Sequence, residues 1–287
     1  MMRSFGCIML LGVTLFMLSA CGETQEAAPD ASHSVPSVVS GIDEQAASTA
    51  AVSVPTYTVV TITSFPPFVM RDANGQTIGF DADVLNAIGE KQGFKLQFLQ
   101  QPWQTVFTSL DNGERDIVTG AVVITTERKK RYDFSEPYLA TKWMAVLKAQ
   151  PDKNRLENFN QLFTDASMVF VTQSGSAGVP ALKRLLDGRS NIIQEVDTQY
   201  LEIKAVLSGQ ADAAYDISGV LQYYVHTSED QNLYGLTDEN APISHFGFAL
   251  RKGRQDGLLQ EINQGLAAIK ADGTYQKIHE KWYGIAP

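Results

Sequence analysis

Cysteine is scarce: the 287 residues hold two, Cys7 and Cys21. Everything after Cys21 therefore lacks a disulfide, a thiol nucleophile and a cysteine-ligated metal, and such a domain must be held by its apolar core. The length is ample for one. Metal-ligand spacing is also missing among His33, His226, His245 and His279. No glycine-rich phosphate loop precedes a helical pattern, and Ser174-Gly175-Ser176 lacks the flanks of a hydrolase elbow. Positive charge is in deficit, with 23 Lys and Arg against 32 Asp and Glu, which argues against nucleic acid as a partner. No cofactor and no metal is expected. The apolar stretch from Phe5 to Leu18 is too short to span a bilayer as a helix.

What is there begins with export signals. Met1-Met2-Arg3, the run Phe5 to Leu18 and the small residues Ser19-Ala20 form the three zones of a signal peptide over residues 1–20. Leu18-Ser19-Ala20-Cys21 has the form of a lipobox, so Cys21 is expected to be acylated and to anchor the chain to a bacterial membrane, facing the periplasm or the cell exterior. Two or more acyl chains hold stably where one does not. Residues 21–54 form the next unit. Gly22 to Val54 contain no aromatic, no Lys and no Arg, and are rich in Ala, Ser, Val and Pro. Such a stretch cannot bury enough apolar surface to offset its ordering entropy and reads as a flexible tether.

From Tyr57 the pattern changes. Tyr57 to Ile62 reads as a strand, Val84, Leu85 and Ile88 as one helical face stopped by Gly93, and Lys95 to Leu99 as a second strand. Val106, Phe107 and Leu110 make another helical face, closed by Gly113, before the apolar strand-like run Ile117 to Ile124. The pattern restarts with a strand at Met168 to Val171 and a helix at Ala177 to Leu186. A strand at Asn191 to Val196, a helix at Tyr200 to Leu207 and a strand at Ala211 to Tyr215 complete it. Phe246 to Gly253 is one more strand and turn, and helices at Leu258 to Ile269 and Tyr275 to Trp282 end the chain. Strands alternating with helices in two separate runs predict an α/β fold with two parallel-rich sheets flanked by helices.

Five landmarks occur in order: Phe65-Pro66-Pro67-Phe68, Ile78 to Asp83, Thr125 to Lys130, Asp133 to Tyr138, and Ala271 to Tyr275 continuing through Lys281-Trp282-Tyr283-Gly284. In these the chain, over about residues 57–284, resembles the bacterial extracellular solute-binding proteins of family 3, soluble receptors of ABC importers for polar amino acids. The resemblance implies a type II periplasmic-binding-protein-like fold of two lobes joined by two hinge strands. Lobe one would be 55–140 plus 246–287 and lobe two 141–245, with crossings near Tyr138–Lys142 and Pro242–Phe246.

A free amino acid offers a carboxylate, an ammonium and a side chain, and burying either charge unpaired is expensive. Arg128 follows the strand-like run, at the mouth of a sheet, where a guanidinium can grip a carboxylate with two parallel hydrogen bonds. The resemblance assigns it the ligand's α-carboxylate and leaves Lys129, Lys130 and Arg131 on the surface. It implies that the backbone of Ala121 and Val123 lines the ligand head group. The family often has Thr at the second position, and Val123 can offer only its amide and carbonyl. Gln173-Ser174-Gly175-Ser176-Ala177 precedes a helix whose free amides attract anions, and Ser176 also suits a helix N-cap. By resemblance Ser176 and Ala177 donate backbone amides to the carboxylate, and Gln173 reads the side chain. Asp216 ends a strand, where ligands of such sheets collect, and reads either as a helix N-cap or as the ammonium partner. The family's Asp falls one residue later without a gap, at Ile217. Phe65 and Trp103, the latter in a loop after Pro102, match aromatic clamps. Asp81 and Asp83 look like a catalytic pair, but the resemblance places them at a helix start, so no catalytic residue is assigned.

These expectations describe a monomeric, lipid-anchored receptor that closes on an amino acid or related small carboxylate and docks on ABC permease subunits. Two rivals stand beside it. One is a sensing module without transport; the other is an enzyme resembling cyclohexadienyl dehydratases on the same fold.

Overall fold

The computed structural model describes residues 53–62, 64–150, 155–228 and 232–284. The expected signal peptide, Cys21 and nearly all of the tether lie outside the described residues. The first lobe is built on a five-stranded sheet. Strand β1 (Thr56–Thr61) is followed by the short antiparallel pair β2 (Met70–Arg71) and β3 (Thr77–Ile78), helix α1 (Phe80–Gln92) and strand β4 (Lys95–Gln100). Helix α2 (Trp103–Asp111), strand β5 (Ile117–Val118), helix α3 (Thr126–Arg131) and strand β6 (Tyr132–Phe134) continue it. Apolar residues at Phe80, Val84, Leu85 and Ile88 repeat with helical spacing, and all four are fully buried. Each such side chain contributes roughly 1.5–3 kcal/mol relative to exposure. Gly93 ends α1 in the left-handed conformation (φ 79°) and donates its amide to Gly89 O.

The chain then passes through β7 (Leu139–Thr141) into the second lobe, whose sheet holds β8 (Trp143–Lys148), β9 (Val169–Gln173), β10 (Ile192–Val196), β11 (Ala213–Ile217) and β12 (Leu233–Asp238). Helices α4 (Gly178–Leu186), α5 (Gln199–Ser208) and α6 (Ser218–Thr227) cover it. It returns through β13 (Ser244–Phe246), which pairs antiparallel with β7 through Ser244–Thr141, His245–Ala140 and Phe246–Leu139. Strand β14 (Ala249–Arg251) rejoins the first sheet, and α7 (Leu258–Ala271) and α8 (Thr274–Tyr283) close the lobe. The sheet orders are β4-β1-β5-β14-β6 and β10-β9-β11-β8-β12. In each sheet half of the pairings, those through β14 and through β8, are antiparallel.

Several elements differ from the sequence reading. The run Ile117 to Ile124 leaves the ladder after Val118, because Gly120 (φ 115°) and Ala121 (φ 48°) turn the chain. Asp81 holds that turn: its Oδ2 accepts from Thr119 Oγ1 at 2.8 Å, Gly120 N at 3.0 Å and Ala121 N at 2.8 Å. Asp81 reaches it because Gly79 (φ 132°) brings α1 so close that a Cβ there would collide with the Phe68 carbonyl. Phe246 to Gly253 is two strands, since Phe246 belongs to the hinge pair. Trp103 opens α2 rather than sitting in a loop, Pro102 supplying the extended residue before it. Asp216 lies inside β11, and α4 starts two residues after Ser176. Strands β8 and β12 were not expected. Trp143 to Leu147 is an unbroken buried apolar run, which has no alternation to mark it.

Candidate functional site

One cavity lies between the lobes, and every residue singled out for the ligand lines it. Phe65, Trp103, Ala121, Val123 and Arg128 come from the first lobe; Gln173, Ser176, Ala177 and Asp216 come from the second. The sequence reading missed Ile62, Gly120, Trp143 and Gln199, and it named Ile217 only as an alternative to Asp216. Gln199 follows the α5 N-cap Thr198, whose side chain accepts from Leu201 N, and that Thr was the available signal. Trp143 is the first residue of β8, directly after the hinge strand, and stacks on Tyr215 at 5.5 Å with planes 13° apart.

Arg128 stands in the first turns of α3, whose N-cap Thr125 accepts from Arg128 N at 3.1 Å. Its Nη1 donates to Val123 O at 2.9 Å, and its guanidinium carbon lies 5.4 Å from the Trp103 ring and 5.1 Å from the Phe107 ring. These contacts fix the fork and leave donors unengaged, because a guanidinium has five N–H groups. Burial pushes the Arg128 pKa down to about 10, with Tyr132 and Asp216 opposing. The group is therefore a desolvated cation at neutral pH.

The opposite charge comes from β11. Asp216 is 4 % exposed. Its Oδ1 accepts from Ile217 N at 2.7 Å and its Oδ2 from Gln199 Nε2 at 3.2 Å. Burial raises its pKa, while these hydrogen bonds and Arg128 across the cavity pull it back. Asp216 is not the N-cap of α6; Ile217 occupies that position, without a side-chain cap.

Three expected roles change in detail. The Val123 carbonyl is engaged by Arg128. The Ser176 amide closes a turn onto Gln173 O at 3.1 Å, and Ser176 Oγ accepts from Gly178 N at 3.0 Å, so its hydroxyl proton and the Ala177 amide remain as donors. The Gln173 side chain donates to Asp197 O at 2.8 Å and accepts from Gln199 Nε2, so it orders the second lobe before it can read a ligand. The lobes also touch directly: Trp103 Nε1 donates to Gly175 O at 3.1 Å and Gln104 Nε2 to Asp197 Oδ1 at 3.2 Å. A half-buried cation and a buried carboxylate, with aromatic walls between them, suit a small zwitterion.

Comparison with known proteins agrees with this architecture. Residues 57–285 match the family model for bacterial extracellular solute-binding proteins, family 3. A probable histidine-binding protein of Neisseria gonorrhoeae is 30% identical over 247 residues, covering 86% of this chain and 90% of the relative. The arginine-, lysine-, histidine-binding protein ArtJ of Geobacillus stearothermophilus superposes with a TM-score of 0.73 at 27% identity, covering 81% of this chain and 96% of that one. The ancestral amino acid-binding protein AncCDT-1, a precursor of cyclohexadienyl dehydratase, does so with a TM-score of 0.71 at 32% identity, covering 79% and 95%. The chain belongs to the bacterial extracellular solute-binding proteins of family 3 and has their two-lobe, type II periplasmic-binding fold.

Proposed function

We propose that this solute-binding protein captures an amino acid between its lobes and delivers it to the permease subunits of an ABC importer. The observation that carries the proposal is the meeting of Arg128 and Asp216 at one cavity, the first half-buried and the second buried, each held by its own lobe. Arg128 takes the carboxylate, with the Ser176 hydroxyl and the Ala177 amide adding donors from the second lobe. Asp216 takes the ammonium, and Phe65 and Trp103 cover the rest. Closure is favoured by contacts made between the lobes, and the Trp103–Gly175 and Gln104–Asp197 bonds join them here. The relatives named for binding histidine, arginine and lysine support the amino-acid class. Acylated Cys21 would tether the domain to the membrane from outside the described residues, and the extracellular setting in the family's description supports export.

A thermal-shift screen of the twenty L-amino acids, L-cystine and small dicarboxylates, on protein unfolded and refolded to strip bound ligand, tests the reading. A ligand at about 100 times its Kd adds ~2.7 kcal/mol, which for a domain of this size is a rise of roughly 5–11 °C in Tm. At least one amino acid is expected to give it. A response confined to acids without an amino group removes the ammonium role of Asp216; no response at all removes the function.

A further inference from the structure

The acidic end of the cavity holds more acceptor than Asp216. Glu202 sits on α5, one turn after Gln199; it is 0 % exposed and Gln199 is 1 % exposed. The Glu202 carboxyl faces Asp216 and the Gln173 amide, yet neither of its oxygens makes a well-formed hydrogen bond, and Gln199 Oε1 has no donor. Gln199 is pinned by its Nε2, which donates to both Gln173 Oε1 and Asp216 Oδ2. Its orphan oxygen thus belongs to a residue that lines the cavity. A buried acceptor left without a donor is destabilising. The Gln199 oxygen, beside two adjoining carboxyls, is a place for a donor brought from outside.

We propose that Glu202 is a positioning residue coupled to a proton: it is protonated in the ligand-free protein and releases that proton to solvent when the ligand's cationic group settles against Asp216 and Gln199. The inference rests on the reading of the cavity as an amino-acid site. Two carboxyls in one desolvated site do not both ionise unless a cation joins them. The groups facing Glu202 are few. Asp216 faces it from β11 and Tyr224 from α6, with Tyr223 and Tyr200 beside Tyr224. Arg128 acts on Asp216 from the other lobe. Lys148, on β8, is turned to Leu207 O at the far end of α5. Burial and Asp216 together hold Glu202 well above the ordinary carboxylate range. A ligand cation at Asp216 offsets the second of these causes and adds its own attraction for the Glu202 carboxylate. In the ligand-free protein the sign is clear: the folded state keeps a proton that the unfolded state loses. This contribution to stability is therefore present below the unfolded pKa and lost as pH rises through the folded one.

Calorimetry at pH 7 on the stripped protein, in buffers of different ionisation enthalpy, tests this with L-arginine, L-lysine and L-glutamine, none of which titrates there. For any of them that binds, the apparent enthalpy is expected to vary linearly with buffer ionisation enthalpy. The slope should correspond to about half to one proton released per ligand. Affinity should rise with pH, approaching tenfold per unit. Glu202→Gln is expected to abolish the slope and flatten the pH profile. Binding with zero slope in the wild type overturns the inference and leaves the amino-acid reading intact; so does an equal slope in Glu202→Gln, which would assign the proton to Asp216. No heat with any of these probes, or with whichever amino acid the thermal screen selects, overturns both.

Discussion

Replacing Arg128 with alanine is expected to weaken amino-acid binding by about 2–5 kcal/mol, roughly thirty- to several-thousand-fold. The magnitude follows from what remains. A ligand carboxylate brought between the lobes would lose its only positive side chain among the cavity's lining residues, and a buried charge without a partner is the costly half of any ion pair. The ligand-free protein should change little in stability. Its losses are one hydrogen bond to Val123 O and the packing of the guanidinium on Trp103 and Phe107. Against these stands relief from holding a desolvated cation, whose burial already pushes its pKa down to about 10. Arg128→Lys keeps the charge and loses the two-pronged fork, so an intermediate loss of about ten- to a hundred-fold is expected. Titration calorimetry paired with thermal melts separates the two effects. Unchanged affinity in the alanine variant would remove Arg128 from carboxylate recognition.

Asp81→Ala is expected to destabilise the fold by about 3–5 kcal/mol, the scale of breaking a buried hydrogen-bond network and leaving several donors unpaired. Three donors, Thr119 Oγ1, Gly120 N and Ala121 N, would be left without their acceptor. Urea denaturation of the variant gives the number directly. The effect is not confined to stability, because Gly120 and Ala121 line the cavity and Ala121 is held at φ 48°, a conformation that L-residues rarely adopt. Once released, this turn should relax and affinity should fall with it. Asp81→Asn retains an acceptor oxygen and should lose only about 1–2 kcal/mol. A variant as stable as the wild type would show that the turn is held by the sheet and hinge, and that Asp81 is incidental.

Both predictions turn on side chains whose meaning was only half legible in the sequence. Arg128 could be placed because it follows an apolar run and a turn, and the cavity has it beside the other chosen residues. Phe65 and Trp103 were chosen through the family resemblance, and the Ser-Gly-Ser segment through that resemblance and its place before a helix; all of them line the cavity or adjoin it. What local composition does not carry is which partner satisfies which polar group. The amides of Gln173 and Ser176 look free in the sequence; in the fold they are taken by Asp197, Gln199 and Gln173 O, residues brought near by sheet pairing and turn closure. Asp81 looked like half of a catalytic pair with Asp83. Helix α1 points one inward to the turn at 119–121 and the other outward to Lys281 and Trp282, at 2.7 and 2.8 Å. Strand β8 was invisible because a strand buried on both faces has no alternation, and β12 because its pairing with β8 is set at long range. Glu202 carried no local signal at all, since only the packing of α5 on β11 sets it behind Asp216.

The most direct test of the account is a crystal structure of the protein with the amino acid that gives the largest thermal shift. The predicted result places that ligand in the cavity between the lobes, its carboxylate in paired hydrogen bonds with Arg128 and its ammonium against Asp216. A ligand bound with the opposite polarity, or lodged outside this cavity, would contradict it.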